Sequence, residues 1–285
     1  LLSHTDSTKE SHVYISRYAV IPLTKSVGLI QWVTGADTMH QMIVKNRKMC
    51  GKSKEIENDI VASFTDTNFI EMTSLQKLEV FEEVIIKTKA MELFTAMWLK
   101  APNSAIWMTR TQRFTLSASL MSMVGYIIGL GDRHPSNIMI QRETGNIVHI
   151  DFCESFEKTL NRKQFPEKVP FRLTRMMINA FEGSIEIGLF QEFANVIMKV
   201  LRDNKSTLTA QLTIFVEEPL ADYQKESGGA KPIDILNRCR QKLAGTEMSE
   251  EGEECPINKQ VKCLIDTASD PANYIQHYPG WCPFW

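Results

Sequence analysis

Asn137 and Asp151 are the first residues whose types and spacing suggest chemistry. They flank the stretch IMIQRETGNIVHI, which alternates from Ile138 to Gln141, turns at ETGN and returns from Ile147 toward Phe152. A hairpin of this kind carries Asn137 at one foot and Asp151 at the other, so an amide oxygen and a carboxylate converge. Both are oxygen ligands suited to Mg2+, which usually keeps waters and substrate phosphates in its remaining positions. Asp132 stands five residues before Asn137, in the run GDRHPSN. Taken singly, an Asp-Arg pair in a loop is ordinarily a solvated ion pair, and a hairpin ending in Asp is common. The joint spacing is what points to a site.

The elements around these groups follow from periodicity and breakers. SRYAVIPL, from Ser16, is expected to be a strand ended by Pro22, and GLIQWV, from Gly28, a second strand across a short polar turn. A short helix is expected from Asp37 to Lys45, then a basic break at KNRKMCGKSK. LQKLEVFEEVIIKTKAMELFTAMWLK, from Leu75, keeps helical spacing throughout, and TQRFTLSASLMSMVGYIIGL, from Thr111, is a more apolar helix. Gly125 and Gly129 allow that helix close packing, so it is expected to be central. Beyond Pro170 come helices in FRLTRMMINAFEG, EIGLFQEFANVIMKVLRDN and KSTLTAQLTIFVEEPL, and another from Pro232 to Leu243. The acidic linker GTEMSEEGEEC is expected to be mobile, and a short helix from Asn258 to Thr267 precedes the tail ASDPANYIQHYPGWCPFW.

At 285 residues the chain can bury a full core, and 43% hydrophobic with 23% charged residues is ordinary for a globular protein. A formal charge of -2 argues against a nucleic-acid binder, so no nucleic-acid partner is expected. Six cysteines without a CxxC pair suit free thiols in a reducing compartment. The longest apolar stretch, near Leu120 to Leu130, is too short to span a bilayer, and no signal peptide is visible. The first residue is Leu1, so the chain is expected to be a piece of something longer.

Asp132 and Asn137 have the separation of base and metal ligand in a protein-kinase catalytic loop, but the local order is Asp-Arg-His rather than His-Arg-Asp. GYIIGLGDRHPSNIMI with HIDF resembles the phosphatidylinositol 3-kinase-related protein kinases. KQFPEKVPFRLTRMMINAF is similar to the activation segment and following helix of the target of rapamycin (TOR) kinases. RYAVIPL, LQKLEVFEE, MSMVGYI and the terminal GWCPFW match the same family in the same order. The resemblance implies an α+β kinase-like fold with a partial N-lobe, a mostly helical C-lobe and a C-terminal FATC helix-hairpin. Its segments would be an N-lobe remnant and hinge at 1–33, the C-lobe at 34–245, and linker with FATC at 246–285. Within the C-lobe, 151–175 would be the activation segment.

The roles implied by the resemblance attach to matching positions. Asp132 would accept or orient the substrate hydroxyl proton, and His134 would stabilise charge on the transferring phosphoryl group. Asn137 and Asp151 would hold Mg2+ or Mn2+ at the ATP phosphates. Trp32 would stack on adenine and the Val33 backbone would hydrogen-bond it; Tyr18, Met139 and Ile150 match other adenine-pocket positions, and Thr38 lies near the pocket mouth. Arg133 reads as structural. Residues 46–83 match the insertion that seats a WD-repeat propeller subunit, with Ile60, Val61, Phe64 and Leu75 as contact positions. The tail aromatics Tyr274, Tyr278, Trp281, Phe284 and Trp285 suit a buried latch ahead of a peripheral membrane contact. Protein substrates and a cytoplasmic place, with contact on endomembranes, are implied too.

Three departures qualify that expectation. No Gly-rich loop, phosphate-binding Lys or Glu-bearing helix precedes Tyr18, so this chain alone is not expected to be a competent kinase. The Asp-Phe-Gly position reads Asp151, Phe152, Cys153, and the hinge has Gln31 where the family has Gly. Ile275 and His277 occupy the stretch where the family often has a second cysteine, so no disulfide is expected for Cys282 within the tail. The rival reading is a catalytically silent scaffold that still binds the propeller subunit.

Overall fold

The computed structural model describes residues 13–24, 26–64, 69–181, 188–217, 232–248 and 252–285. Two small antiparallel sheets frame the site. The first pairs β1 (Val20–Pro22) with β2 (Gly28–Ile30). Both strands are exposed and shorter than their apolar runs, because Pro22 removes a ladder donor and Ser26 to Gly28 turns the chain. The second sheet runs in the order β3 (Ala36–Thr38), β4 (Ile138–Gln141), β5 (Ile147–His149). Its register sets Thr38 opposite Met139 and Ile138 opposite His149. The expected hairpin is therefore present, with its return ending at His149 because Asp151 swings to φ 58, outside strand space.

Helix α1 spans Met39–Met49, so Asp37 belongs to β3 and the helix runs four residues beyond the expected Lys45. Its start is set by Thr38, whose hydroxyl accepts the Gln41 N–H while the Gln41 side chain returns to the Thr38 N–H, a capping box. The basic residues past Lys45 do not break the helix; Arg47 is buried in it, paired with Glu57 of α2 (Ile56–Phe64). The continuous helical pattern from Leu75 is interrupted. It forms α3 (Ser74–Lys87) and α4 (Glu92–Leu99), separated by an extended Thr88 and by Ala90 at φ 49. Periodicity alone cannot register such a break, because the two halves keep the same apolar spacing.

The central helix α5 spans Ser104–Ile127, starting seven residues before Thr111 at an Asn103 cap whose side chain accepts the Ile106 N–H at 2.9 Å. Its second half is buried nearly all round, as a core helix should be. Ser117 on it accepts the N–H of Ile147 at 2.9 Å, which seats the hairpin on the helix. Gly129 sits just past the helix at φ 57, where an added Cβ would lie 2.6 Å from the Glu157 backbone nitrogen. Gly125, by contrast, would meet only ordinary contacts, so the close approach belongs to Gly129.

Of the remaining helices, α6 (Arg175–Ala180) packs on α4, α7 (Gly188–Asp203) and α9 (Pro232–Ala244) on α5, α8 (Lys205–Glu217) on α9 and α7, α10 (Ile257–Ser269) on α7, and α11 (Pro271–Tyr274) on α10 and α3. Phe114 of α5, Phe181 and Phe190 of α7 form a ring stack in the core. Both ends of the acidic linker are tied: Glu247 accepts from the Tyr126 hydroxyl at 2.5 Å and from Arg238, and the Cys255 N–H reaches Gly245 O at 3.0 Å. The expectation of mobility otherwise falls partly on 249–251, outside the described residues. All six cysteines are free thiols. No helix among the described residues is long and apolar enough to cross a membrane.

Candidate active site

Asp132 leaves the end of α5 through Leu130 and Gly131 and takes φ 58, a left-handed conformation that Asp tolerates better than most side chains. Three neighbours hold it there. Its N–H donates to Glu167 Oε2 at 2.8 Å, its carbonyl accepts from Asn137 Nδ2 at 3.1 Å, and its Oδ1 accepts from the Tyr278 hydroxyl at 2.9 Å. Burial pushes the Glu167 carboxyl above its ordinary range, opposed by the hydrogen bond it accepts from the Asp132 N–H. Arg133 is buried and donates to the carbonyls of Gly131 and Ile150 at 2.8 Å each, and of Asp151. It thus ties the loop to the strand bearing the second aspartate, through carbonyls rather than through an acidic side chain.

His134 points its Nδ1 at the Ser136 N–H, 3.2 Å away. An Nδ1 that accepts must be bare, so in the neutral ring Nε2 carries the proton and is free to donate to an anionic oxygen. Burial holds the imidazole below its ordinary range, with Asp132 opposing, so the neutral donor form dominates near pH 7. Asn137 bonds its own N–H to His134 O at 2.9 Å and receives the Ile150 N–H on its carbonyl at 3.1 Å. Because Nδ2 is committed to Asp132, Oδ1 is the atom left for a ligand. Asp151 bends in left-handed space, and one of its oxygens accepts the Cys153 N–H at 3.2 Å. No group of three or more His, Cys, Asp or Glu gathers among the described residues. A two-oxygen set of amide and carboxylate fits Mg2+ or Mn2+, whose other positions go to phosphates and water.

Four of the apolar pocket candidates come together. Tyr18, Val33 and Ile150 pack on a small cluster of Ala36, Met139 and Val148, separate from the main core. Burial raises the Tyr18 phenol above its ordinary range, offset by Arg133 and the Asp151 backbone. Trp32 lies outside this cluster, 82% exposed just past β2. Thr38 serves as the α1 cap. Gln31 closes the hairpin twice: its N–H donates to Ala19 O at 2.8 Å and its side-chain oxygen accepts the Ala19 N–H at 2.9 Å.

The tail folds back onto the loop. Arg172 is buried and donates to the carbonyls of Trp281 at 2.6 Å, Cys282 at 2.9 Å and Trp285 at 3.2 Å, with its guanidinium over the Trp281 ring. Arg175 donates to Phe284 O at 3.0 Å and to Thr88. Phe284 stacks on Phe81 of α3, Trp285 on His40 of α1, and His277 on Trp281.

Residues 1–225 match phosphatidylinositol 3- and 4-kinase, and residues 255–285 match the FATC domain. The chain belongs to the phosphatidylinositol 3- and 4-kinase family. Among curated relatives it is 37% identical over 316 residues to the target of rapamycin homolog of Caenorhabditis elegans, covering 100% of this chain and 12% of that protein. It is also 37% identical over 331 residues to the serine/threonine-protein kinase tor1 of Schizosaccharomyces pombe, covering 100% of this chain and 14% of that one. The chain therefore spans about an eighth of the length of these relatives. The FAT and kinase domain of CtTel1 has the same fold, with a TM-score of 0.81 at 23% identity over 100% of this chain and 20% of that chain.

Within this family chain, Glu167, Arg172 and the Tyr278 hydroxyl are site features that spacing does not indicate. Glu167 and Arg172 lie in the segment 151–175, where their types suggest only solvated charges. Tyr278 is 146 residues from Asp132, and no local pattern announces a contact over that separation. Its one sequence signal is the crowding of tail aromatics.

Proposed function

We propose that this chain is the hinge, C-lobe and FATC portion of a TOR-like protein kinase that transfers the ATP γ-phosphoryl group to Ser or Thr of proteins in growth and nutrient signalling. The observation that carries the reading is the loop itself: Asp132, His134 and Asn137 are linked by hydrogen bonds, and Arg133 fixes them against Asp151. As the substrate oxygen bonds to the γ-phosphorus, its proton passes to Asp132, and the bond to the β–γ bridging oxygen breaks to release ADP. His134 donates from Nε2 to the charge on the transferring group. Asn137 and Asp151 would hold Mg2+ or Mn2+, which when bound neutralises phosphate charge. Tyr18, Val33, Met139 and Ile150 would enclose the adenine, with Trp32 at the edge and Thr38 near the mouth.

The division at 33 and 245 and the insertion at 46–83 belong to the same proposal. Of the four contact positions for a WD-repeat propeller subunit, Val61 is buried and Ile60 packs on the core, whereas Phe64 and Leu75 are exposed, Leu75 by 67%. Phe64 and Leu75 would carry that contact. The burial of Trp281, Phe284 and Trp285 supports a latch, so a membrane contact by the tail would require it to unfold from the lobe. A cytoplasmic protein touching endomembranes peripherally fits that reading.

The test joins the chain to a complete N-lobe and measures phosphate transfer to Ser/Thr peptides with Mg2+ or Mn2+. Asp132→Asn is expected to lower kcat by about 100-fold or more. Undiminished transfer would remove Asp132 from its role, and no transfer by the parent would favour a silent scaffold.

A further inference from the structure

We propose that Tyr278 is a positioning residue of the phosphotransfer site, its hydroxyl fixing one oxygen of Asp132 so that the other faces the substrate. This rests on the kinase reading above and deepens it, since part of the catalytic geometry then comes from the C-terminal tail.

The carboxylate of Asp132 could rotate about its terminal bond, a torsion with broad, twofold preferences. The Tyr278 hydroxyl, 2.9 Å from Oδ1, fixes that rotation. The backbone on either side is already fixed, by Glu167 on the N–H and Asn137 on the carbonyl. Among the described residues no donor reaches Oδ2, so the oxygen left open is the one available to a substrate hydroxyl. The phenol remains a donor, because burial, and then the hydrogen bond and charge of Asp132, push its ionisation above the ordinary tyrosine range.

The tail is built to present this hydroxyl. The Tyr278 ring lies over Gly280, where a Cβ would come within 2.7 Å of Cε2, so any side chain at that position would displace the ring. Trp281 donates its N–H to Tyr278 O at 2.9 Å, starting the short turn Pro279–Trp281. Arg172 then clamps the carbonyls at the end of that turn. Arg172 follows Glu167 by five residues, so one segment both pins the Asp132 N–H and holds the tail that pins its carboxylate. A reacting group displaced by about 1 Å can cost about 100-fold in rate, which sets the scale of the effect.

The test uses the chain joined to a complete N-lobe and compares Tyr278→Phe, which keeps the ring over Gly280 and loses only the hydroxyl. The expected result is kcat lower by about 10- to 100-fold, with KM for ATP within about twofold and the Tm close to the parent. In an Asp132→Asn background, adding Tyr278→Phe should change the residual rate by less than about twofold, because both changes act on one arrangement. A merely structural tyrosine would lower the rate by the same factor in both backgrounds. That result, or an unchanged kcat in Tyr278→Phe, overturns the positioning role while the kinase reading stands. Absence of transfer by the parent overturns the kinase reading, and the role with it.

Discussion

At the residue scale, the left-handed backbone falls on the two aspartates and not on Cys153, which stands where the family has Gly. Asp132 and Asp151 both adopt φ 58, and Cys153 is absent from the described residues with positive φ. The turn is made at Asp151 itself, two residues before Cys153, with the Asp151 carboxylate accepting the Cys153 N–H. Asp is among the side chains that visit this region at least cost, so the substitution of Gly by Cys removes nothing the turn needs. Cys153→Gly is therefore expected to leave kcat within about twofold of the parent, measured with a complete N-lobe under reducing conditions. Its stability should fall by less than about 1 kcal/mol, from the extra freedom of glycine in the unfolded chain. A large gain in rate would show that Cys153 restrains the active arrangement.

At the element scale, the segment 151–175 and the tail are joined through Arg172. Three tail carbonyls converge on its guanidinium, and the planar fork also stacks on Trp281. Burial lowers the ionisation of this guanidinium to about 10, so it remains charged at pH 7. Arg172→Ala leaves the carbonyls of Trp281 and Trp285 without that donor in a buried setting, at about 1 to 3 kcal/mol for each one that water does not reach, while Cys282 O keeps the Trp285 N–H. The loss is expected to total about 3 kcal/mol or more, lowering Tm by roughly 6 to 12 °C for a domain of this size. Arg172→Lys should recover little of it, because an ammonium cannot address three carbonyls in a plane. Scanning calorimetry of the three proteins without lipid checks both expectations.

At the scale of the whole molecule, the latch makes stability depend on pH. His277 is buried against Trp281, with Nδ1 2.8 Å from Tyr274 O and no partner among the described residues for Nε2. Burial holds its pKa at about 4, against an ordinary 6.5. Between those values the unfolded chain binds a proton that the folded chain refuses, so this stabilisation is complete above pH 6.5 and declines as pH falls toward 4. The loss amounts to a few kcal/mol. His277→Phe, which keeps a ring on Trp281, is expected to flatten the fall in Tm over that window. An equal slope in both proteins would assign the acid sensitivity to other groups.

The local pattern of the sequence was sufficient for the hairpin Ile138–His149, the buried helix ending at Ile127 and the amphipathic helices of the C-terminal half, because period and end signals act over a few residues. It also drew attention to Asp132, Asn137 and Asp151 as candidates, because their spacing is a property of one loop and one hairpin. The break at Ala90 lay beyond it, since the apolar spacing continues through and what stops the helix is the packing of Thr88 against Arg175. So did the buried state of Arg47, which reads as part of a solvated basic run until Glu57 closes on it. Most of all, only the tertiary structure decided that a tyrosine seven residues before the last residue bonds the aspartate of the loop. A hydrogen bond across 146 residues leaves no trace in local periodicity, because its partners are brought together by the packing of the intervening helices and by Arg172, not by any pattern of a few residues.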